Sequence, residues 1–121
     1  MATVYFDDDC PLDKKKLGLC SWMFLHTMAA YYSDTPSSQE QKDMFLFIHL
    51  FAKFYPCKEC SRHFQNTLEN YPPDVTSRKK LSQWLCEVHN VVNKRLKQLL
   101  FDCKVVDQRW RTGWEDGSCK K

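Results

Sequence analysis

Glycine is scarce in this sequence: Gly18, Gly113 and Gly117 are the only three in 121 residues. They are too few and too far apart to build a G-x-G-x-x-G turn or a P-loop, which excludes the folds that cradle phosphate in glycine-rich backbone. Long apolar runs are missing as well. The longest, Met44 to Ala52, is interrupted by His49 and reaches about half of the ~20 residues needed to cross a bilayer, so no membrane span is expected. Charge of one sign is also absent, since 18 Lys and Arg oppose 15 Asp and Glu, mixed along the chain, for a formal +3. Nucleic-acid binding usually requires a clustered basic face, and nucleic acid is not an expected partner. The first nine residues end in Asp7, Asp8 and Asp9 and carry no apolar or Arg-rich targeting stretch. They read as a flexible segment, 1–9, ahead of one domain spanning 10–121, within the usual ~100–200 residues of a single domain.

What the sequence does have is cysteine, seven in all. That density points to a disulfide framework or a metal site, and the odd count leaves one cysteine over. Proline falls only at joints, at Pro11, Pro36, Pro56 and Pro72-Pro73. Between these joints the spacing predicts helices. Leu17, Trp22, Leu25, Met28, Ala29 and Tyr32 follow the three-and-four step of one helical face over about 13–32. Ser37 with Glu40 forms a capping box opening a second helix that runs to about Phe54. It is apolar nearly all round, with Met44 through Phe51, and is expected to be the most buried element. A third helix is predicted from Cys57 to about Asn70. A fourth runs from about Ser77 to Gln98, with Leu81, Trp84, Leu85, Val88, Val92 and Leu96 on one stripe. A short fifth is expected around Val105–Arg111. The fold class is all-α, a four-helix bundle with a short fifth helix.

The sharpest chemical signal is Cys57-Lys58-Glu59-Cys60, directly after Pro56. At a helix start the first sulfur lies near unsatisfied N–H groups and the positive end of the helix dipole, which favours thiolate chemistry. A zinc site using Cys57, Cys60, His63 and His89 is the competing reading of the same spacing. Cys86 and Cys103 can approach if the fourth helix is followed by a return of the chain, and a structural disulfide is expected there. Cys10 and Cys119 lie near the two ends and could pair with each other or across a dimer. Cys20 reads as a small buried hydrophobe. Trp22 with His26, and His89 with Asn93, each project from one helical face at four-residue spacing. They suit a cleft in which a flat ligand stacks on the indole and is hydrogen-bonded by imidazole and amide groups. Lys94, Arg95 and Lys97 follow and could neutralise a diphosphate.

Several runs together resemble the FAD-linked sulfhydryl oxidases of the Erv/ALR family. They are Cys10-Pro11-Leu12-Asp13, Ser21-Trp22, Leu25-His26-Thr27, Phe47-Ile48-His49-Leu50-Phe51 and Lys53-Phe54-Tyr55-Pro56-Cys57-x-x-Cys60. Beyond these come Trp84-Leu85-Cys86, Val88-His89-Asn90, Phe101-Asp102-Cys103, Arg109-Trp110-Arg111 and Asp116-Gly117-Ser118-Cys119. The likeness spans residues 10–119 in one order. It implies a bundle holding FAD non-covalently and no metal. Cys57 and Cys60 would be the redox pair, Cys60 next to the flavin and Cys57 attacked by the incoming thiolate. The implied cofactor contacts run along the first helix at Lys14, Gly18, Trp22 and His26, and continue at Tyr55 and Cys60. They follow the fourth helix at Cys86, His89, Asn90, Val92, Asn93 and Lys94, and close at Lys97, Arg109 and Trp110. Cys86–Cys103 matches a structural disulfide, and Cys10 with Cys119 matches an inter-chain pair in a homodimer.

Two positions depart from the family pattern. Cys20 has no counterpart, and Leu96-Lys97-Gln98 stands where a leucine, a small residue and a lysine are usual, so the basic contact is expected at Lys97 rather than at position 98. The resemblance implies oxidation of protein or small-molecule thiols, with oxygen or cytochrome c as electron acceptor. It also implies a place in the mitochondrial intermembrane space, a cytosolic or secreted short form being the alternative. A secreted signalling protein stapled by disulfides, growth-factor-like in kind, is the reading that needs no cofactor.

Overall fold

Each long helix begins where a side chain can close its first turn. Asp13 accepts from the Lys16 N–H at 2.8 Å and α1 runs Lys14–Ala30. Ser37 and Glu40 form the reciprocal capping box and α2 runs Ser38–Lys53. The Cys57 sulfur takes the N-cap place for α3, Lys58–Asn70, and Ser77 does so for α4, Arg78–Arg95. These caps satisfy backbone donors that the first turn leaves orphaned. The computed structural model describes residues 9–119, so of the expected flexible segment 1–9 only Asp9 falls within the described residues. There is no strand among them.

The core lies between α1 and α4, with contributions from α2 and α3: Leu25 and Ala29 meet Leu81, Leu85 and Val88, and Ile48 and Leu68 close it from the other side. α4 is the most buried helix, since five of its apolar residues (Leu81, Trp84, Leu85, Cys86 and Val88) lie inside. This corrects the expectation for the second helix. α2 buries only Ile48 and Ala52, while Phe45, Leu46, Phe47 and Leu50 stay exposed. The reason is that α2 packs chiefly on α3, along one narrow side. Its remaining apolar face continues onto Phe24 of α1, 53% exposed, whose ring lies 6.5 Å from that of Phe47. No described residue of the chain covers it.

Side-chain bonds fix how the pieces meet. Ser82 donates to the Ala29 carbonyl at 3.1 Å, tying α4 to the end of α1. Ser61 donates to the Ala52 carbonyl at 2.6 Å, tying α3 to the end of α2. Arg78 reaches both Asp34 at 2.9 Å and Asp107 at 3.0 Å, which anchors the C-terminal segment beside the start of α4.

α4 also ends earlier than its apolar stripe predicts. Leu96 is the C-cap, Lys97 takes the left-handed conformation at φ 58°, and the Gln98 N–H returns to the Asn93 carbonyl at 2.8 Å, a Schellman closure. Beyond it the expected short fifth helix is present as an irregular helical stretch, a 3-10 turn at Cys103–Val105 leading into a π-helical turn at Gln108–Thr112. The disulfide Cys86–Cys103, with Cα atoms 5.8 Å apart, holds the first of these turns against α4.

A non-glycine residue in the left-handed region pays a steric cost that glycine does not. Lys97→Gly is expected to raise the unfolding free energy of the cofactor-free protein by about 1 kcal/mol. Urea denaturation compared with the parent checks this.

Candidate redox and cofactor site

Tyr55-Pro56 ends α2, because the residue before proline is driven out of helical backbone. The turn it makes delivers Cys57 to the start of α3, where its sulfur is bonded to Cys60, Cα to Cα 5.2 Å. The Cys60 N–H points at the Cys57 sulfur at 3.4 Å. Cys57 is nearly buried, at 9% exposure, whereas Cys60 is partly open and forms part of a cleft wall. The bond also uses both sulfurs that the zinc reading requires. His63 sits beside Glu59 at 3.8 Å, His89 is engaged with His26, and no three His, Cys, Asp or Glu among the described residues are placed to hold a metal ion.

The cleft has two adjoining lobes, of about 390 and 440 Å³, between α1, α3 and the C-terminal half of α4. Lys14, Gly18, Trp22, Val92, Leu96 and Gln98 face both lobes, so the space is continuous and elongated. One end carries Cys60 with Tyr55. Ser21 already donates to the Leu17 carbonyl at 2.7 Å, so the Tyr55 hydroxyl donates to Ser21 at 2.9 Å and is locked in place. The other end is a stack of flat groups. Trp22 lies on His89 with centroids 3.8 Å apart, His26 lies on Trp110 at 4.6 Å, and the Arg109 guanidinium covers Trp110 at 3.8 Å.

A hydrogen bond of 2.8 Å between His26 Nε2 and His89 Nδ1 joins the two stacks. It requires one nitrogen to donate and the other to accept, so at least one ring is neutral. Burial, then the neighbouring His89 and Arg109 charges, push the His26 pKa down to about 3; burial pushes His89 down to about 4. Both rings are therefore neutral near pH 7 and present aromatic faces without adding charge.

Of the residues expected to contact a cofactor, Lys14, Gly18, Trp22, His26, Tyr55, Cys60, Cys86, His89, Val92, Asn93, Arg109 and Trp110 line the cleft. Asn90, Lys94 and Lys97 do not. Asn90 is spent on the loop after α4: its amide donates to the Phe101 carbonyl at 2.9 Å and its oxygen accepts from the Phe101 N–H at 2.9 Å. It positions Phe101, which itself lines the cleft. Lys97 is taken out of the wall by the backbone reversal at the end of α4, and Gln98 stands there instead. Arg95, singled out with Lys94 and Lys97 as a candidate for a diphosphate, does line the cleft, while sequence reasoning missed Lys15, Phe51 and Phe64. Lys15 adjoins a predicted contact, while an aromatic such as Phe51 or Phe64 carries no local mark separating a cleft wall from core. Cys10 and Cys119 are exposed near the ends of the described chain, and Cys20 is half-buried on α1.

Gly18 tests whether a large flat cofactor fits. It lies mid-helix, where glycine costs about 1 kcal/mol relative to alanine, and a Cβ built on it meets nothing within 4 Å. Packing does not demand glycine there; the space it leaves belongs to the cleft. Apolar walls, stacked rings and a few convergent polar groups are the donor set expected of a cofactor site.

The model of the Erv1/Alr family matches residues 19–111. The FAD-linked sulfhydryl oxidase ERV1 of Arabidopsis thaliana is 43% identical over 110 residues, 90% of this chain and 58% of its own. The mitochondrial FAD-linked sulfhydryl oxidase ERV1 of Saccharomyces cerevisiae is 40% identical over 106 residues, 88% of this chain and 56% of its own. The chain thus spans somewhat more than half the length of these relatives. The crystal structure of the FAD binding domain of Erv1 from Saccharomyces cerevisiae superposes with a TM-score of 0.83 at 39% identity, over 87% of this chain and all of that one. The yeast Erv1 core does so with a TM-score of 0.87 at 37% identity, over 93% and 96%.

Two outcomes follow from this geometry. Unfolded histidines protonate near pH 6.5, whereas the folded His26 and His89 resist protonation until about pH 3 and 4. The stability that depends on neutral imidazoles is complete above pH 6.5 and is lost as pH falls through that window. The cofactor-free protein is expected to lose up to about 5 kcal/mol between pH 7 and pH 4.5, with His26→Phe showing roughly half the slope; denaturant titrations at both pH values measure it, and equal slopes would refute the assignment. For Gly18, the substitution Gly18→Ala is expected to stabilise the cofactor-free protein by about 1 kcal/mol. Gly18→Leu is expected to abolish FAD retention with the helical circular dichroism intact, read by flavin absorbance after gel filtration.

Proposed function

The chain belongs to the Erv1/Alr family, and on that basis we propose that it is an FAD-dependent thiol oxidase that introduces disulfides into thiol substrates. The observation that carries this reading is the Cys57–Cys60 bond at the start of α3, with Cys60 in the wall of a cleft suited to a flat, elongated cofactor. FAD-linked relatives favour it over the secreted signalling protein. Trp22, His26, His89 and Asn93 would hold the adenine end, and Cys60 with Tyr55 would border the reacting ring. Lys14, Arg109 and Trp110 would line the path between. Asn90, Lys94 and Lys97 would act from outside the wall.

The protein's own steps follow from thiol chemistry. A substrate thiolate attacks the Cys57 sulfur, forming a mixed disulfide and expelling Cys60 as a thiolate beside the cleft. A second substrate thiolate then attacks the substrate sulfur of that mixed disulfide. The substrate leaves oxidised, and Cys57 leaves as a thiolate. The Cys60 N–H aimed at the Cys57 sulfur, and the N-terminal dipole of α3, stabilise that leaving group, and a better leaving thiolate departs faster. When bound, FAD supplies the two-electron acceptor for the reduced pair, and oxygen or cytochrome c would restore it. The purified protein is expected to be yellow and to consume oxygen with dithiothreitol. Cys60→Ser should bind flavin and not turn over. A colourless folded protein inert to dithiol, or an active Cys60→Ser variant, would overturn the assignment.

We further propose a homodimer formed on the uncovered apolar face of α1 and α2, with Cys10 and Cys119 bridging the two chains. The relatives' names support a mitochondrial location, and the oxidising chemistry suits the intermembrane space. The apolar face alone should hold two copies together. Cys10→Ser with Cys119→Ser is expected to remain dimeric by light scattering, while the parent gives a covalent dimer on non-reducing electrophoresis. A monomeric parent would refute the dimer.

A further inference from the structure

On the opposite side of α3 from the cofactor cleft lies a second concavity, a groove of about 610 Å³. It abuts the cleft across Tyr55 and His63, which face both. Its walls carry three cations, Lys53, Lys58 and Arg62, against one carboxylate, Glu69. The other nearby carboxylate, Glu59, faces the cofactor cleft. Lys53 is placed by the exposed Phe54 ring, with its ammonium 5.4 Å from the centroid. Cys57 lies between Tyr55 and Lys58 in the chain, and the Ser61 N–H, on the groove wall, donates to the Cys57 carbonyl at 2.8 Å.

Apart from Tyr55, which faces both, the cofactor function assigns nothing to this groove. Cys57, however, is nearly buried, so a protein thiolate must arrive from a restricted direction, and two groove residues, Tyr55 and Lys58, flank Cys57 in the chain. We propose that the groove is the docking surface for the thiol substrate and that it selects a cysteine-bearing segment rich in Asp and Glu. This inference rests on the oxidase reading and adds the chemistry of its substrate. Three cations against one carboxylate favour an anionic segment, and in a concave site such charge raises encounter rates by about 10- to 1000-fold at low salt. Screening with a Debye length of about 10 Å at 0.1 M salt confines the effect to a segment seated in the groove. A small neutral dithiol does not need it.

The test uses the FAD-loaded protein and two dithiol peptides with one Cys-x-x-Cys, flanked by Glu in one and by Lys in the other. Dithiothreitol serves as the reference substrate. At low salt, kcat/KM for the Glu-flanked peptide is expected to exceed that for the Lys-flanked one by about tenfold, and by about twofold or less in 0.5 M salt. In the double variant Lys53→Gln with Arg62→Gln the low-salt preference should fall to about twofold, with dithiothreitol turnover unchanged. Lys58 is left in place because it adjoins Cys57 and would alter thiol reactivity directly. Binding is read separately, by fluorescence anisotropy of the Glu-flanked peptide with both cysteines replaced by serine and a neutral dye attached. The double variant should weaken it at least about fivefold. Equal kcat/KM for the two peptides at low salt, or peptide binding indifferent to the double variant, overturns the docking surface. If binding depends on the groove but no dithiol is oxidised, the docking surface stands and the oxidase reading falls.

Discussion

The antiparallel packing of α1 along α4 is the constraint on which the site depends. At one end small residues let the helices come close: Ala29 and Ala30 are fully buried, and Ser82 bonds directly to the Ala29 carbonyl. At the other end Trp22 and His89 are too large to interdigitate and instead lie face to face, while Gly18 contributes no side chain. Close packing there gives way to an open cleft. The His26–His89 hydrogen bond marks the boundary between the two regimes and fixes the spacing of the helices at that level.

Chemical function is divided between this pair and the α2–α3 pair. The first builds a wall of neutral rings, and the second presents a disulfide to it. Ser61, bonded to the end of α2, and Tyr55, bonded to Ser21 of α1, set the position of α3 relative to the cleft. A shift of α3 would therefore move Cys60 and the Tyr55 ring together. The same helix separates two surfaces of different character, an apolar cleft on one side and a cationic groove on the other, with Cys57 between them in the chain.

Much of this was legible because its causes are local. The starts of the helices follow from Asp13, Ser37, Cys57 and Ser77, whose side chains cap the turns they precede. The pairs Trp22 with His26 and His89 with Asn93 were legible from the four-residue step, and all four side chains line the cleft. Other features escaped because their causes are distant. Asn90, a cofactor contact by the family resemblance, bonds Phe101, eleven residues on. The closing turn of α4, which sets Gln98 rather than Lys97 in the cleft wall, was not legible. The short fifth helix is there, but its irregular 3-10 and π-helical form, and its tethering by the Cys86–Cys103 bond and by Arg78, were not legible.

By itself the amino-acid sequence determined the all-helical class, the helix starts, the position of the Cys57-x-x-Cys60 pair at a helix terminus and the aromatic faces available to a ligand. These are consequences of capping, of proline placement and of the 3.6-residue period, each acting within a few residues. Only the tertiary structure decided which apolar face is core and which is left uncovered. α2 has apolar residues nearly all round, but a helix can bury only the sides that other elements reach, and here α3 reaches one. It also decided that His26 and His89, 63 residues apart, share one hydrogen bond and stay neutral near pH 7, because desolvation and proximity are properties of the packed chain.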